Sequence, residues 1–230
     1  VRDYNQYCPV ALASEVLADR WTPLIARELV LGSCRFNDIA RALPGISRTL
    51  LLRRLRHLEQ CGVLDRVPVK GGHQYELTDA GRDLEAVIMA FGEWAVRWMF
   101  AEPEPREVEP VTLTWWMSRR LDLDRIPSER RVVVEFDYTG PDPTRIWLVL
   151  DRGEPSVCTS HPGFDTDVVV SAEPVALMRV FSGIVSLRTA RATGQVVLSG
   201  PPWLLRQLPG WFLWSPFAPA VRSRLQLGLA

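Results

Sequence analysis

Lysine is almost missing from this 230-residue chain, since Lys70 is the single lysine among 27 basic residues. Arginine therefore serves as the general-purpose base, and its abundance alone does not argue for a nucleic-acid partner. Histidine is scarce, at three residues. The four cysteines, Cys8, Cys34, Cys61 and Cys158, form no C-x-x-C pair and are read as lacking partner histidines. A zinc site or disulfide scaffold is not expected, no metal or cofactor is implied, and a reducing cytoplasm is the expected location. No apolar run approaches the roughly 20 residues of a membrane-spanning helix. The opening V-R-D-Y-N-Q-Y-C-P-V lacks the apolar stretch of a secretory signal. Glycine-rich phosphate loops, H-E-x-x-H and paired acid motifs are also missing. His161 has Ser160 and Asp165 near it, but neighbours in one turn rarely form a triad. The chain reads as a non-enzyme.

An excess of either charge is missing too: 27 Lys and Arg balance 27 Asp and Glu. The balance is not uniform. Residues 35–70 carry eight bases against Asp38, Glu59 and Asp65, a net of +5 that leaves −5 elsewhere. Segment 102–109, E-P-E-P-R-E-V-E, holds four acids and one base, with Pro103, Pro105 and Pro110 in or beside it. Proline withholds a backbone donor and like charges repel, so an extended, solvated linker is expected over 102–110. It separates two domains, residues 1–101 and 111–230, each large enough to bury a core.

The first domain reads as short helices, a hairpin and a longer helix. Pro9 suits a first helical turn. Further helices are expected at 22–31, ended by Gly32, at 36–43, and from a Ser47 cap to about Cys61, ended by Gly62. Pro44-Gly45 supplies the turn of a helix-turn-helix. Leu51, Leu55 and Leu58 recur at i, i+4, i+7 as the packed face, leaving Arg48, Thr49, Arg53 and Arg56 near the outer face. Arginine can pair bidentately with guanine or clamp a phosphate, though a solvated face is the plainer reading. Two strands joined at Gly71-Gly72 follow, with Lys70, His73 and Gln74 at the tip. A basic hairpin after a basic helix is the pattern of a winged helix-turn-helix. Thr78 should cap a helix to about Phe100, whose apolar stripe of Leu84, Val87, Ile88, Phe91, Trp94, Ala95 and Trp98 is wide enough for a dimer interface.

The ordered set R-F-N-D-I, L-P-G-I-S and L-T-D-A-G, with C-P-V upstream, resembles HxlR-type winged-helix transcriptional regulators over about residues 7–100. The resemblance implies a dimeric, cytoplasmic bacterial protein that binds double-stranded DNA at an inverted repeat, with a recognition helix starting at Ser47. Candidate base-reading residues are Ser47, Arg48, Thr49 and Arg53. Candidate phosphate or wing contacts are Arg54, Arg56, Lys70 and His73, with Arg54 alternatively pairing with Asp38 across the turn. Leu52 departs from the family, where a small polar residue is usual. Cys8 stands where some members carry a sensor thiol, so a thiol-redox switch is an alternative to ligand control.

The second domain changes pattern. A helix, taken as amphipathic, is expected over 111–121. Strands follow at 131–138, with Val132, Val134, Phe136 and Tyr138 on one face, and at 145–151, with Ile146, Leu148 and Leu150 on one side. More strands are expected at about 154–159 and 166–171, helices at 173–182 and 186–193, a strand at 195–199 and an aromatic-rich helical tail. This is an α+β layer. Trp115, Trp116, Trp147, Phe181, Trp203, Trp211, Phe212 and Trp214 are candidates for the wall of an apolar cavity. The segments E-F-D-Y-T-G, R-I-W-L-V-L-D-R-G-E, D-V-V-V-S-A-E-P and T-G-Q-V-V-L-S-G-P-P-W-L-L-R-Q-L resemble a sterol-carrier-type lipid-binding domain over about 111–215. That resemblance implies a hydrophobic small molecule or lipid as effector. A lipid carrier whose winged domain serves only dimerisation is the other reading of the same two halves.

Overall fold

The computed structural model describes residues 4–151 and 153–228. Residues 1–3 at the start of the first expected domain, Arg152 in the second resemblance, and 229–230 lie outside the described residues. The chain forms two compact units, the first ending at Gly92 and the second beginning at Glu93.

The first unit runs α1 (Pro9–Leu17), α2 (Thr22–Val30), α3 (Phe36–Ala42), α4 (Arg48–Gln60), β1 (Leu64–Val69), β2 (Gly72–Leu77) and most of α5 (Asp79–Trp98). Proline stands in the first turn of α1 and of α2, where its missing donor costs nothing. Ser47 Oγ accepts from the Leu50 amide at 3.2 Å and so opens α4. Gly62, at φ +71°, follows its C-cap. Leu51, Leu55 and Leu58 are fully buried against Ile25, Ile39, Leu43, Leu64 and Tyr75. β1 and β2 pair antiparallel from Leu64↔Leu77 to Val69↔Gly72. The two turn residues are therefore Lys70 and Gly71 rather than Gly71-Gly72, with Gly71 at φ +89°. Thr78 Oγ1 accepts from the Gly81 amide at 3.2 Å and opens α5.

The second unit contains α6 (Pro110–Ser118), β3 (Val132–Tyr138), β4 (Thr144–Asp151), β5 (Glu154–Cys158), β6 (Val168–Ala172), α7 (Pro174–Ser182), α8 (Leu187–Ala192), β7 (Val196–Ser199), α9 (Pro202–Gln207) and α10 (Ala218–Gln226). Its sheet has the order β5-β4-β3-β6-β7, with β3 and β6 parallel and the other neighbours antiparallel. Alternation sends Val134, Phe136 and Tyr138 of β3 and Ile146, Leu148 and Leu150 of β4 into one core with Leu113, Met117, Leu177, Val180 and Trp211. Val133, Trp147 and Val149 form a smaller apolar patch on the other face.

Two segments depart from their sequence patterns. α6 is not amphipathic. Thr112, Leu113, Thr114, Trp115, Met117 and Ser118 are all buried, because β4, β5 and α7 pack around it. Two of its hydroxyls are satisfied internally: Thr114 donates to the Pro110 carbonyl at 2.9 Å and Ser118 to the Trp115 carbonyl at 2.7 Å. Nor is 102–110 simply extended. Pro105–Glu107 forms a 3₁₀ turn, Glu107 accepts from the Glu104 amide at 3.0 Å, and Glu109 accepts from Val111 and Thr112 to cap α6. The acids spend their oxygens on nearby backbone donors, and that overrides their mutual repulsion.

Candidate nucleic-acid interface

α4 carries the face of interest. Its leucine stripe is sunk in the core, which forces Arg48, Thr49, Arg53 and Arg56 outward, and all four are exposed. Arg48 is held at both ends of its guanidinium group's reach. Nη2 donates to Asn37 Oδ1 at 3.0 Å, and the group lies 4.8 Å from the centroid of the Phe36 ring. α3 thus fixes the direction of the first arginine of α4. Ser47 is exposed, with its oxygen engaged by the helix cap.

The wing closes the other side. Arg66 on β1, paired in register with Tyr75, places Nη2 3.1 Å from His73 Nδ1. Arg48, Thr49, Leu52 and Arg56 of α4 and Arg66, His73 and Tyr75 of the wing line one open groove of about 510 Å³. Burial pushes the Tyr75 hydroxyl above its ordinary pKa, and the Arg66 guanidinium works against that rise. Lys70 stands exposed in the turn.

Of the eight candidates, the structure brings Arg48, Thr49, Arg56 and His73 to this groove. Arg54 has another occupation. It pairs with Asp19 at the end of α1, while Asp38 pairs with Arg41 at 3.7 Å. The expected Arg54–Asp38 bridge is therefore replaced by a contact 35 residues away in sequence. Arg66 was not singled out from the sequence. The signal for it was the strand alternation that sets it opposite Tyr75.

A second feature of this unit is apolar. α1, α2 and α5 enclose a groove of about 900 Å³ lined by Val10, Leu17, Leu24, Val87, Ile88 and Phe91, among others. Along α5, Val87, Phe91, Trp94 and Trp98 are 49–66% exposed, whereas Ile88 is buried. Cys8 is the half-buried N-cap residue of α1.

The aromatic candidates of the second unit do not form one wall. Trp211 and Phe212 are in the main core, with Trp116 stacked on Phe181 at 6.5 Å and Trp214 5.3 Å from Phe212. Trp115 is buried in α6. Trp147 lies on the opposite sheet face, where Nε1 donates to Glu135 at 3.1 Å. Trp203 is exposed, with Arg130 over its ring at 5.4 Å. The alternation of β4 sends odd and even positions to different faces, which separates Trp147 from the rest. Trp211 Nε1 is buried and has no hydrogen-bond partner among the described residues. His161 accepts from the Gly163 amide at 3.1 Å and packs on Trp147, not on Ser160 or Asp165. Among the described residues, no group of three His, Cys, Asp or Glu is placed to hold a metal ion, and no helix is long and apolar enough to cross a membrane.

Helix, tight turn, second helix and hairpin in this order define a winged helix-turn-helix. Residues 16–103 match the profile of the HxlR-like helix-turn-helix family. The uncharacterized HTH-type transcriptional regulator YvaP of Bacillus subtilis is 37% identical over 101 residues, covering 41% of this chain and 92% of YvaP. The HTH-type transcriptional regulator YodB of the same organism is 37% identical over 105 residues, covering 43% and 90%. The chain belongs to the HxlR-like helix-turn-helix family. The uncharacterized regulator Rv3095 of Mycobacterium tuberculosis is 43% identical over 107 residues, which is 45% of this chain but 65% of that relative. A crystal structure of quinone-bound YodB from B. subtilis is 36% identical over 38% of this chain and 96% of that one, with a TM-score of 0.35.

Proposed function

We propose that this chain is a transcriptional regulator that binds duplex DNA as a homodimer and answers to a hydrophobic or lipid-like effector held by its second unit. The observation that carries the DNA reading is the groove between α4 and the wing, with arginines on both walls. A helix fits the major groove, and α4 would place Arg48, Thr49 and Arg53 toward base edges. Arg56, Arg66, Lys70 and His73 would meet phosphates. Leu52, half-buried in the groove, offers an apolar contact for a thymine methyl group.

Dimerisation is supported by the exposed stripe of α5 and the apolar groove beside it. An inverted repeat requires two such units related by symmetry. The effector reading rests on the sequence resemblance to a sterol-carrier-type domain, on a sheet with one face packed by helices, and on the buried Trp211 N–H. An acceptor oxygen on an otherwise apolar molecule would satisfy that donor, whose desolvation costs about 1–3 kcal/mol when unmet. The test is a fluorescence titration with duplexes tiling the gene's own upstream region, at two salt concentrations, with and without lipid extract. Saturable binding to one tile, released by the extract, is the expected result. Lipid capture without salt-sensitive duplex binding would move the carrier reading ahead.

A further inference from the structure

We infer that Arg224 is a positioning residue for α5: through it, α10 holds the C-terminal end of that helix and passes changes in the second unit's apolar core to the stripe that pairs two copies. The inference rests on the dimer reading of that stripe. Residues 93–98 of α5 belong to the second unit, while Val87 and Phe91 of the same stripe lie in the first. Trp94 and Trp98 stand exposed on the end that belongs to the second unit. The last turn of a helix leaves carbonyls without an intrahelical donor. On α5 the Ala95 carbonyl accepts from the Met99 amide at 2.7 Å, and the next one, Val96, accepts from Arg224 Nη1 at 2.5 Å. A guanidinium group from α10 therefore meets the negative end of the helix dipole. Around that bond, Glu93, Val96 and Arg97 face Ala220, Ser223 and Arg224 across a cleft of about 190 Å³. Arg224 reaches over a cleft, so its bond can break without unpacking a core.

The other end of α10 is seated firmly. Gly183, the left-handed C-cap of α7 at φ +87°, lies so close that a Cβ there would stand 2.7 Å from Ala218 Cβ. Ala218 and Val221 are buried, and Phe181 of α7 stacks on Trp116 at 6.5 Å. A molecule that parts Trp116 from Phe181 moves the last turn of α7, and Gly183 has no room to absorb that motion against Ala218. Close-packed contacts of this kind transmit strain. The displacement then reaches Arg224 along α10. With the Val96 bond made, the end of α5 is held; with it broken, the last turn frays and Trp94 and Trp98 lose their place on the stripe. Coupling requires two such states, biased from the core and from the stripe alike.

The experiment is hydrogen exchange on the full chain, read by mass spectrometry over residues 93–99, with the oligomeric state measured by sedimentation at the same concentration. Arg224→Ala should speed exchange there about fivefold and weaken self-association, and Arg224→Lys, which keeps a cationic donor, should recover part of the protection. Gly183→Ala, which overpacks the joint between α7 and α10, should also speed exchange in the parent chain. It should add little in the Arg224→Ala background, because the connection is already cut. Val221→Ala loosens the seat of α10 by truncation and supplies the same cycle if Gly183→Ala does not fold. Protection across β3 shows in each variant that the sheet is intact. Fully additive effects in the cycle, or unchanged exchange over 93–99 in Arg224→Ala, would overturn the proposal. A wild-type chain that sediments as a monomer would remove the dimer reading alone, since the exchange cycle decides the clamp by itself.

Discussion

Arg48 illustrates how one side chain gains direction. Its Asn37 bond and the Phe36 ring hold the guanidinium group before any partner arrives, so less rotamer freedom remains to be lost on binding. Arg48→Ala should cost about 1–3 kcal/mol on the cognate duplex, and Arg48→Lys should not restore base discrimination, because an ammonium lacks the bidentate fork. Asn37→Ala, compared by competition against single-base variants, should blur discrimination more than it lowers total affinity. Equal losses on every sequence would return Arg48 to a phosphate contact. Arg54→Ala should instead lower thermal stability, since it removes the Asp19 pair, and change duplex affinity little. In the second unit, the buried Tyr138 hydroxyl shares a 2.7 Å bond with Thr114, and burial raises its pKa well above 10. The unfolded chain deprotonates near pH 10 while the folded one does not, so this group's stabilisation is intact below about pH 10 and lost as pH rises above it. The slope is up to about 1.4 kcal/mol per pH unit. Urea melts at about pH 9 and about pH 11 should show a smaller loss in Tyr138→Phe than in wild type.

Elements were legible where the signal was periodic. The i, i+4, i+7 leucines of α4, the Ser47 and Thr78 caps and the alternation of β3 and β4 are local patterns, and each element lies where its pattern puts it. What the sequence could not carry was packing from elsewhere. The helix α6 looks two-faced in isolation, and only β4, β5 and α7 show why its threonines are inside. The partners of Arg54 and Arg48 come from other helices, and no spacing rule links Arg54 to Asp19. Composition groups Trp147 with the other tryptophans, although strand parity sets it apart from Ile146 and Leu148. The start of α5 offers a sharp test of packing. A Cβ at Gly81 would stand 2.0 Å from the Val63 carbonyl oxygen, so Gly81→Ala must displace the end of the winged hairpin or the helix. It should lower the midpoint of chemical unfolding by as much as Leu55→Ala, a core truncation worth about 2–5 kcal/mol.

In the whole molecule, the proposed function needs the basic face of α4 for duplex binding and the exposed apolar stripe of α5 for pairing two copies. Phe91 is 62% exposed and lines the apolar groove. Phe91→Glu should give a monomer by sedimentation, with the individual unit still folded by circular dichroism. Duplex binding should then weaken strongly, because each half-site would be held alone. A Phe91→Glu protein that remained dimeric would move the interface elsewhere. The aromatic interior of the second unit belongs to the same scale, since an effector matters only if it favours one state of the dimer over another. Trp211→Phe deletes the orphan N–H together with part of a fully buried indole, so it should lower the unfolding midpoint through the cavity left behind and weaken effector response. DNA binding through α4 is tested by an anisotropy titration of wild type and an Arg48→Ala, Arg53→Ala double variant on upstream duplexes at two salt concentrations. Saturable wild-type binding to one tile, weakened by salt and abolished in the variant, is expected. Equal binding by both proteins to every tile would mean that α4 does not read the duplex.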